Sequence, residues 1–372
     1  YSAEGASQCI RAMVYLACLH AAENGKKPRI LAGRNAHKTF VRAAALLDFE
    51  VAWLYGEDGA YLSCKIDASL LETAILREKP TAVYVTSPDY LGNTLEIPAL
   101  SAVCRQHGVL LMVDNAHGAY RKFLPVSRHP IDGGADMCCD SAHKTLPVLT
   151  GGAYLHVSPK TAPLFSREAK AALALFGSTS PSYLILESLD RVNPLLETYA
   201  AVLSPFICEV ENARKRLSKS GYVFLGDEET KLTLHAKKYG YTGTELARIL
   251  KEHNCHVEFA DPDFLVLMVT PETGRDGLFR LAEILLSVPK RAEITAAPPT
   301  VKKAERVLSP REALFSPREE VPCEESVGRI LAAENVGCPP AVPILAAGER
   351  IDAAAVEAFS YYGIRHCFVV KE

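Results

Sequence analysis

The chain has 372 residues, of which 48 % are apolar and 23 % charged, and its net charge is −3 at neutral pH. That composition fits two or three globular domains with sizeable cores. The balanced charge leaves no footprint for nucleic acid or an anionic membrane, and no stretch carries the roughly 20 apolar residues that a bilayer span needs.

The first half alternates helical and strand patterns. Apolar residues recur at helical spacing over 7–22, and a short apolar strand follows over 28–32. A helix over 38–47, a strand over 50–54 and a helix over 67–77 continue the pattern. The β-branched and aromatic run 81–86 reads as a strand stopped by Ser87-Pro88, and 97–107 as a helix entered through Pro98. The buried strand 109–113 ends in Asp114. Strands that do not alternate, each followed by a helix, predict a mostly parallel sheet covered on both faces, with ligands at the strands' carboxyl ends.

After Gly151 the pattern predicts a strand over 152–157 and a helix over 158–175. One long helix follows over 181–217, kinked at Pro194 and Pro205. Strands over 231–235, 256–259 and 264–269 and helices over 243–253 and 276–288 suggest a smaller α/β domain. The Ala/Pro/Lys/Arg-rich stretch 290–303 reads as a linker to a third module. The 11 cysteines form no C-x-x-C pair. They read as reduced core thiols of a cytoplasmic protein, with no disulfide or metal framework.

The chemistry concentrates in Asp140-Ser-Ala-His-Lys-Thr145, a small and polar turn between two predicted strands. Lys144 there is placed to offer an amine to a cleft, as pyridoxal 5′-phosphate (PLP) chemistry requires of a Schiff-base lysine. Asp114, in Val113-Asp-Asn-Ala-His-Gly118, is the carboxylate that would keep the pyridine nitrogen protonated, and His117 follows at a position able to reach the same cleft. Ser7, at the start of the first helix, and Ser141 offer hydroxyls to a phosphate, and the helix start offers backbone N–H groups. His37, at a helix start, could stack on the ring.

Together these segments resemble the Orn/Lys/Arg decarboxylases. The likeness rests on Gly5-Ala6-Ser7, Arg34-Asn-Ala-His37-Lys38, Asp114-Asn-Ala-His117-Gly118 and Ser141-Ala-His143-Lys144, and on Gly337-Cys-Pro-Pro-Ala-Val-Pro343 in the tail. The resemblance implies an α/β fold, PLP fold type I. It would have a large domain over 1–190 with a mostly parallel, seven-stranded-type sheet, a small α/β domain over 191–290 and a C-terminal α+β module over 304–372. It also implies Lys144 as the Schiff-base lysine, Asp114 as the pyridinium partner and His143 beside the reacting carbon. His37 would stack on the ring, Ser7 and Ser141 would contact the phosphate, and Ala6, Ala116 and His117 complete the cofactor's surroundings. Ala6 stands where the family usually carries a hydroxyl. The N-terminal segment with which family members precede the phosphate loop is not part of the sequence, so the chain is expected to be truncated.

The implied activity is α-decarboxylation of arginine, lysine or ornithine to a polyamine precursor, in a homodimer or higher homo-oligomer. Two alternatives stand beside it: an aminotransferase or carbon–carbon lyase on the same fold, and an inactive paralogue serving as a scaffold.

Overall fold

The computed structural model describes residues 1–56, 61–300, 302–334 and 340–372. Its first half runs α1 (Ala6–Glu23), β1 (Arg29–Gly33), α2 (Lys38–Leu47), β2 (Glu50–Leu54), α3 (Ala68–Glu78), β3 (Ala82–Thr86), α4 (Ile97–Gln106), β4 (Leu110–Asp114), β5 (Met137–Asp140), α5 (Ala142–Thr145), β6 (Tyr154–Val157) and α6 (Ala162–Leu175). The strands form one sheet in the order β2-β1-β3-β4-β5-β6. The first five are parallel, and β6 returns antiparallel to β5. The described residues supply six strands of the expected seven-stranded type. Beside β6, Ser2 makes a single antiparallel bridge to Ala153.

The sequence makes this sheet because its central strands are apolar on both faces. In β3 and β4, Tyr84 and Met112 face α1 and pack on Ile10, Met13 and Phe40. Their neighbours Val83, Val85, Leu111 and Val113 face α3 and α4, against Leu71, Ile75 and Leu100. Each such side chain contributes about 1.5–3 kcal/mol on full burial, so neither face can be left bare. Local chemistry sets the helix ends: Asp67 caps α3 by accepting from Leu70 N–H at 2.7 Å.

The long helix expected over 181–217 is two helices, α7 (Tyr183–Arg191) and α8 (Asn193–Lys219). Ser182 caps α7, and Val192 separates the two, with Pro194 in the first turn of α8 where a missing N–H costs nothing. Pro205 lies inside α8. The carbonyl that it leaves unpaired, on Ala201, belongs to an exposed residue.

A second sheet contains β7 (Phe224–Leu225), β8 (Lys231–His235), β9 (Phe259–Ala260) and β10 (Phe264–Met268) in the antiparallel order β7-β8-β10-β9. It packs on α8, α9 (Gly243–Glu252) and α10 (Gly274–Ser287). The strand expected over 256–259 is reduced to β9, which runs directly into a tight turn where the Asp261 carboxylate accepts from the N–H groups of Asp263 and Phe264. Among the described residues, the stretch expected to be a linker has no regular structure but is docked. Arg291 N–H donates to Tyr239 O and Ile294 N–H to Lys237 O, and the Arg291 guanidinium lies 4.1 Å above the Tyr241 ring.

The third sheet, β11 (Arg318–Pro322), β12 (Leu331–Ala333) and β13 (His366–Val370), has the order β11-β13-β12 and is accompanied by α11 (Pro310–Phe315) and α12 (Ala353–Tyr361). Of the tail segment 337–343, positions 337–339 lie outside the described residues.

Candidate active site

Parallel strands end on the same edge, which here gathers the motifs. Gly33 leads into Arg34–His37, β3 ends at Thr86, β4 at Asp114, and β5 runs into the turn that carries Lys144. Thr86 lies in register with Asp114, and Asp114 with Cys139. The result is a cavity of about 130 Å³ lined by His37, Thr86, Asp114, Ala116, His117 and Lys144, with Tyr90, Glu258, Pro340 and Val342 among its other walls. The left-handed backbone of Ala341 (φ 56°) sets Pro340 and Val342 in place, and its carbonyl accepts from Lys38 N–H at 2.8 Å.

Asp114 is fully buried. Its Oδ2 accepts from Tyr84 O–H at 2.8 Å and its Oδ1 from Ala116 N–H at 3.2 Å. Burial pushes its carboxyl above the ordinary range, and the Tyr84 hydrogen bond only partly offsets that. A buried carboxylate in this position is completed by a cationic partner.

His37 caps α2 with its ring: Nδ1 accepts from Thr39 N–H at 3.1 Å, which leaves the proton on Nε2. Burial first, then the charges of Lys144, Lys38 and Arg42, push its pKa down to about 3. The ring is therefore a neutral, flat surface in the cavity wall. Thr39 Oγ1 also lies 2.9 Å from His37 Nδ1 and 3.1 Å from Ser7 Oγ, so Ser7 connects to the site through Thr39.

Lys144 and His143 diverge because consecutive helical residues point about 100° apart. Lys144 Nζ lies 2.8 Å from His117 Nε2, whereas His143 Nδ1 lies 3.0 Å from Gly152 O. Ser141 is buried at the start of the turn, and Lys144 N–H donates to its carbonyl at 3.0 Å. Ala6, Ser7, Ser141 and His143 thus sit outside the residues lining the cavity, and His37, Asp114, Ala116, His117 and Lys144 meet within it.

Four contributors went unread in the sequence. Lys231, at the start of β8, is 0 % exposed and lies 2.8 Å from the other nitrogen of His117, Nδ1. It also donates to Asp89 O at 3.1 Å. Glu228 Oε2 is 2.9 Å from it, off the hydrogen-bond angle, so that pair is held by charge. Thr86 Oγ1, in the cavity wall, is buried without a hydrogen-bond partner. Glu258 accepts from Tyr90 O–H at 2.8 Å and supplies a carboxylate to the wall. One signal was available: a lysine opening the otherwise apolar strand Lys231-Leu-Thr-Leu is out of place unless it is paired.

Arg34, in the same segment as His37, does not enter the cavity. It donates to Pro343 O at 3.0 Å, to Ile344 O at 2.7 Å and to Glu349 Oε2 at 3.1 Å, and so ties the tail to the sheet.

The sequence profile of the Orn/Lys/Arg decarboxylase major domain matches residues 1–232. Among curated proteins, the chain is 31 % identical over 358 residues to the uncharacterized protein YaaO of Bacillus subtilis, covering 89 % of this chain and 72 % of that one. It is 28 % identical over 379 residues to the arginine decarboxylase of the same organism, covering 94 % and 75 %. Among solved structures, lysine decarboxylase A from Pseudomonas aeruginosa superposes with a TM-score of 0.80 at 16 % identity, covering 99 % of this chain and 69 % of that one. The Francisella novicida lysine decarboxylase gives 0.77 at 16 % identity, covering 100 % and 69 %. Those two structures share the fold, and the profile spans more than half of the sequence: the chain belongs to the Orn/Lys/Arg decarboxylase family.

Proposed function

We propose that the chain is a PLP-dependent decarboxylase of a basic amino acid (arginine, lysine or ornithine), acting in the cytoplasm as a homodimer or larger homo-oligomer. The observation that carries this reading is the meeting of the Lys144 amine, the buried Asp114 carboxylate and the neutral His37 ring in one cavity. These residues fit the cofactor. Lys144 would hold it covalently, Asp114 would pair with its pyridinium and His37 would lie against its ring. The Thr86 hydroxyl, buried and unpartnered, has a donor to give. Once bound, PLP supplies the electron sink for the pair released as CO₂ leaves.

The protein's own contribution begins with a proton count. Burial first, then the charges of Lys144 and Lys231, hold His117 far below its ordinary pKa, so the imidazole is neutral with one N–H and one lone pair. The Lys231 ammonium, ion-paired to Glu228, donates to the lone pair on Nδ1. Nε2 then carries the proton and can donate it towards Lys144 Nζ, 2.8 Å away, once that amine has given up its own proton. Only an unprotonated amine can accept there, and an unprotonated amine is what an aldehyde requires. Lys231 and Glu228 are thus positioning residues that fix the imidazole's tautomer. Glu258 is the acidic group in the wall that a substrate's guanidinium or ammonium end would meet.

The oligomer finds support in Tyr183, Leu184, Leu195 and Val202, all exposed on α7 and α8. Large apolar side chains exposed along two consecutive helices are the kind of surface that a second chain would cover.

The test is product analysis with PLP and each of the three amino acids. CO₂ and the matching amine, abolished by Lys144→Ala, are the expected outcome. A keto acid as the only product would replace this reading with an aminotransferase.

A further inference from the structure

On the sheet face opposite the Lys144 cavity lies a second cluster of chemically active side chains. Alternation along β5 turns Cys139 towards Asp114 and turns Cys138 and Asp140 the other way. His156 stands opposite Cys138 in the β5–β6 ladder, so its side chain projects on that same face. The loop after β4 brings His129 over them. His129 Nε2 lies 3.1 Å and His156 Nε2 3.0 Å from one oxygen, Asp140 Oδ2.

We propose that His129, Asp140 and His156 form a binding site for a divalent cation of the zinc class. The three ligand atoms lie within 4.8 Å of one another. A tetrahedral ion at roughly 2.0–2.1 Å from each donor sets neighbouring donors about 3.3–3.4 Å apart. The two carboxylate–imidazole spacings need shifts of a few tenths of an ångström to reach that geometry, and the two imidazole nitrogens, within 4.8 Å of each other, close the third edge. Two imidazoles and one carboxylate suit zinc and its neighbours and exclude the all-oxygen shells of calcium.

The carboxylate is already oriented from behind. Asn115 Nδ2 donates to Asp140 Oδ1 at 2.6 Å, leaving Oδ2 to face the two rings, as outer hydrogen bonds orient metal ligands elsewhere. The three residues also line a cavity of about 430 Å³, which leaves room for water at the fourth position. Nothing in the spacing of 129, 140 and 156 announces the site, because its ligands come from a loop and two strands.

The location gives the ion its role. Asp140 directly precedes the turn bearing Lys144, and Asn115 directly follows Asp114. A cation there braces both cofactor-facing residues from behind without entering their cavity.

The test uses the untagged full chain, freed of metal by a chelator. It is titrated with Co²⁺ by visible absorbance and with Zn²⁺ by calorimetry, and thermal melting is recorded with and without Zn²⁺. Expected are saturable binding of one ion per chain, tetrahedral-type cobalt bands and a raised melting temperature. Asp140→Asn and His156→Ala should each weaken binding by at least about tenfold, and Lys144→Ala should leave it unchanged. The His156 side chain is 37 % exposed, so its variant decides the matter if Asp140→Asn fails to fold. Absence of saturable binding in the wild type, or undiminished binding in His156→Ala, overturns the proposal.

Discussion

Lys231 Nζ lies 2.8 Å from His117 Nδ1 across 114 positions of sequence, bringing a strand of the second sheet to the edge of the first. Because that lysine is charged and His117 is neutral, the contact dictates which ring nitrogen keeps its proton. Replacing Lys231 by Met should release the tautomer and slow covalent capture of PLP by Lys144 about tenfold or more, on the scale of a lost proton-handling group. The variant also leaves Glu228 buried and unpaired, at a cost of about 3–5 kcal/mol. Lys231→Met/Glu228→Gln should recover most of the stability but not the capture rate. Stopped-flow absorbance across pH, alongside chemical denaturation, separates the two effects.

Glu258→Gln keeps the shape of the wall and the Tyr90 contact but removes a charge. The proposed substrate then loses its acidic partner in binding. KM for the basic amino acid should rise by about tenfold or more, the scale of one charge-assisted hydrogen bond, with kcat little changed. Steady-state kinetics measures the split, and an unchanged KM would remove Glu258 from substrate recognition.

His37 links folding to pH. Its pKa falls from 6.5 to about 3 on burial, so the unfolded chain binds one more proton than the folded chain between those values. Stability is intact above about 6.5 and is lost as pH falls towards 3, at roughly 1.4 kcal/mol per pH unit from this residue. His117, also depressed by burial, acts in the same direction. Unfolding free energies measured across this window should show the slope, and His37→Gln should flatten it by about that amount.

Arg34 and Glu349 are 6 % and 2 % exposed and 3.1 Å apart. Arg34→Met strands the Glu349 charge and frees two tail carbonyls, so stability should drop by about 3–5 kcal/mol. Limited proteolysis should then cut earliest near the tail. A protease-resistant variant would show that the remaining contacts, among them Lys38 N–H to Ala341 O, suffice to dock the third module.

The parallel βα pattern was readable because β3 and β4 are apolar on both faces, which only a sheet covered twice can accommodate. The direction of β6 was not readable, since its four residues pack the same way whichever neighbour they pair with. Lys144, Asp114, His117 and His37 were visible because each lies within a few residues of a strand end, where local sequence and position coincide. Lys231, Glu228 and Glu258 were not, because they reach the cavity through packing between sheets, which has no signature in local spacing. Arg34 was visible as a motif residue but not in its role, because its partners lie about 310 positions away.

The cavity takes one wall from Asn35 and another from Val342. A chain emerging from the ribosome therefore presents Lys144 and Asp114 long before their enclosure exists. The pocket closes only when the segment around Ala341 has been made and has folded back onto Lys38. On the proposed function, cofactor loading would wait for that segment, and a chain cut short before it would lack one wall of the cavity around Lys144.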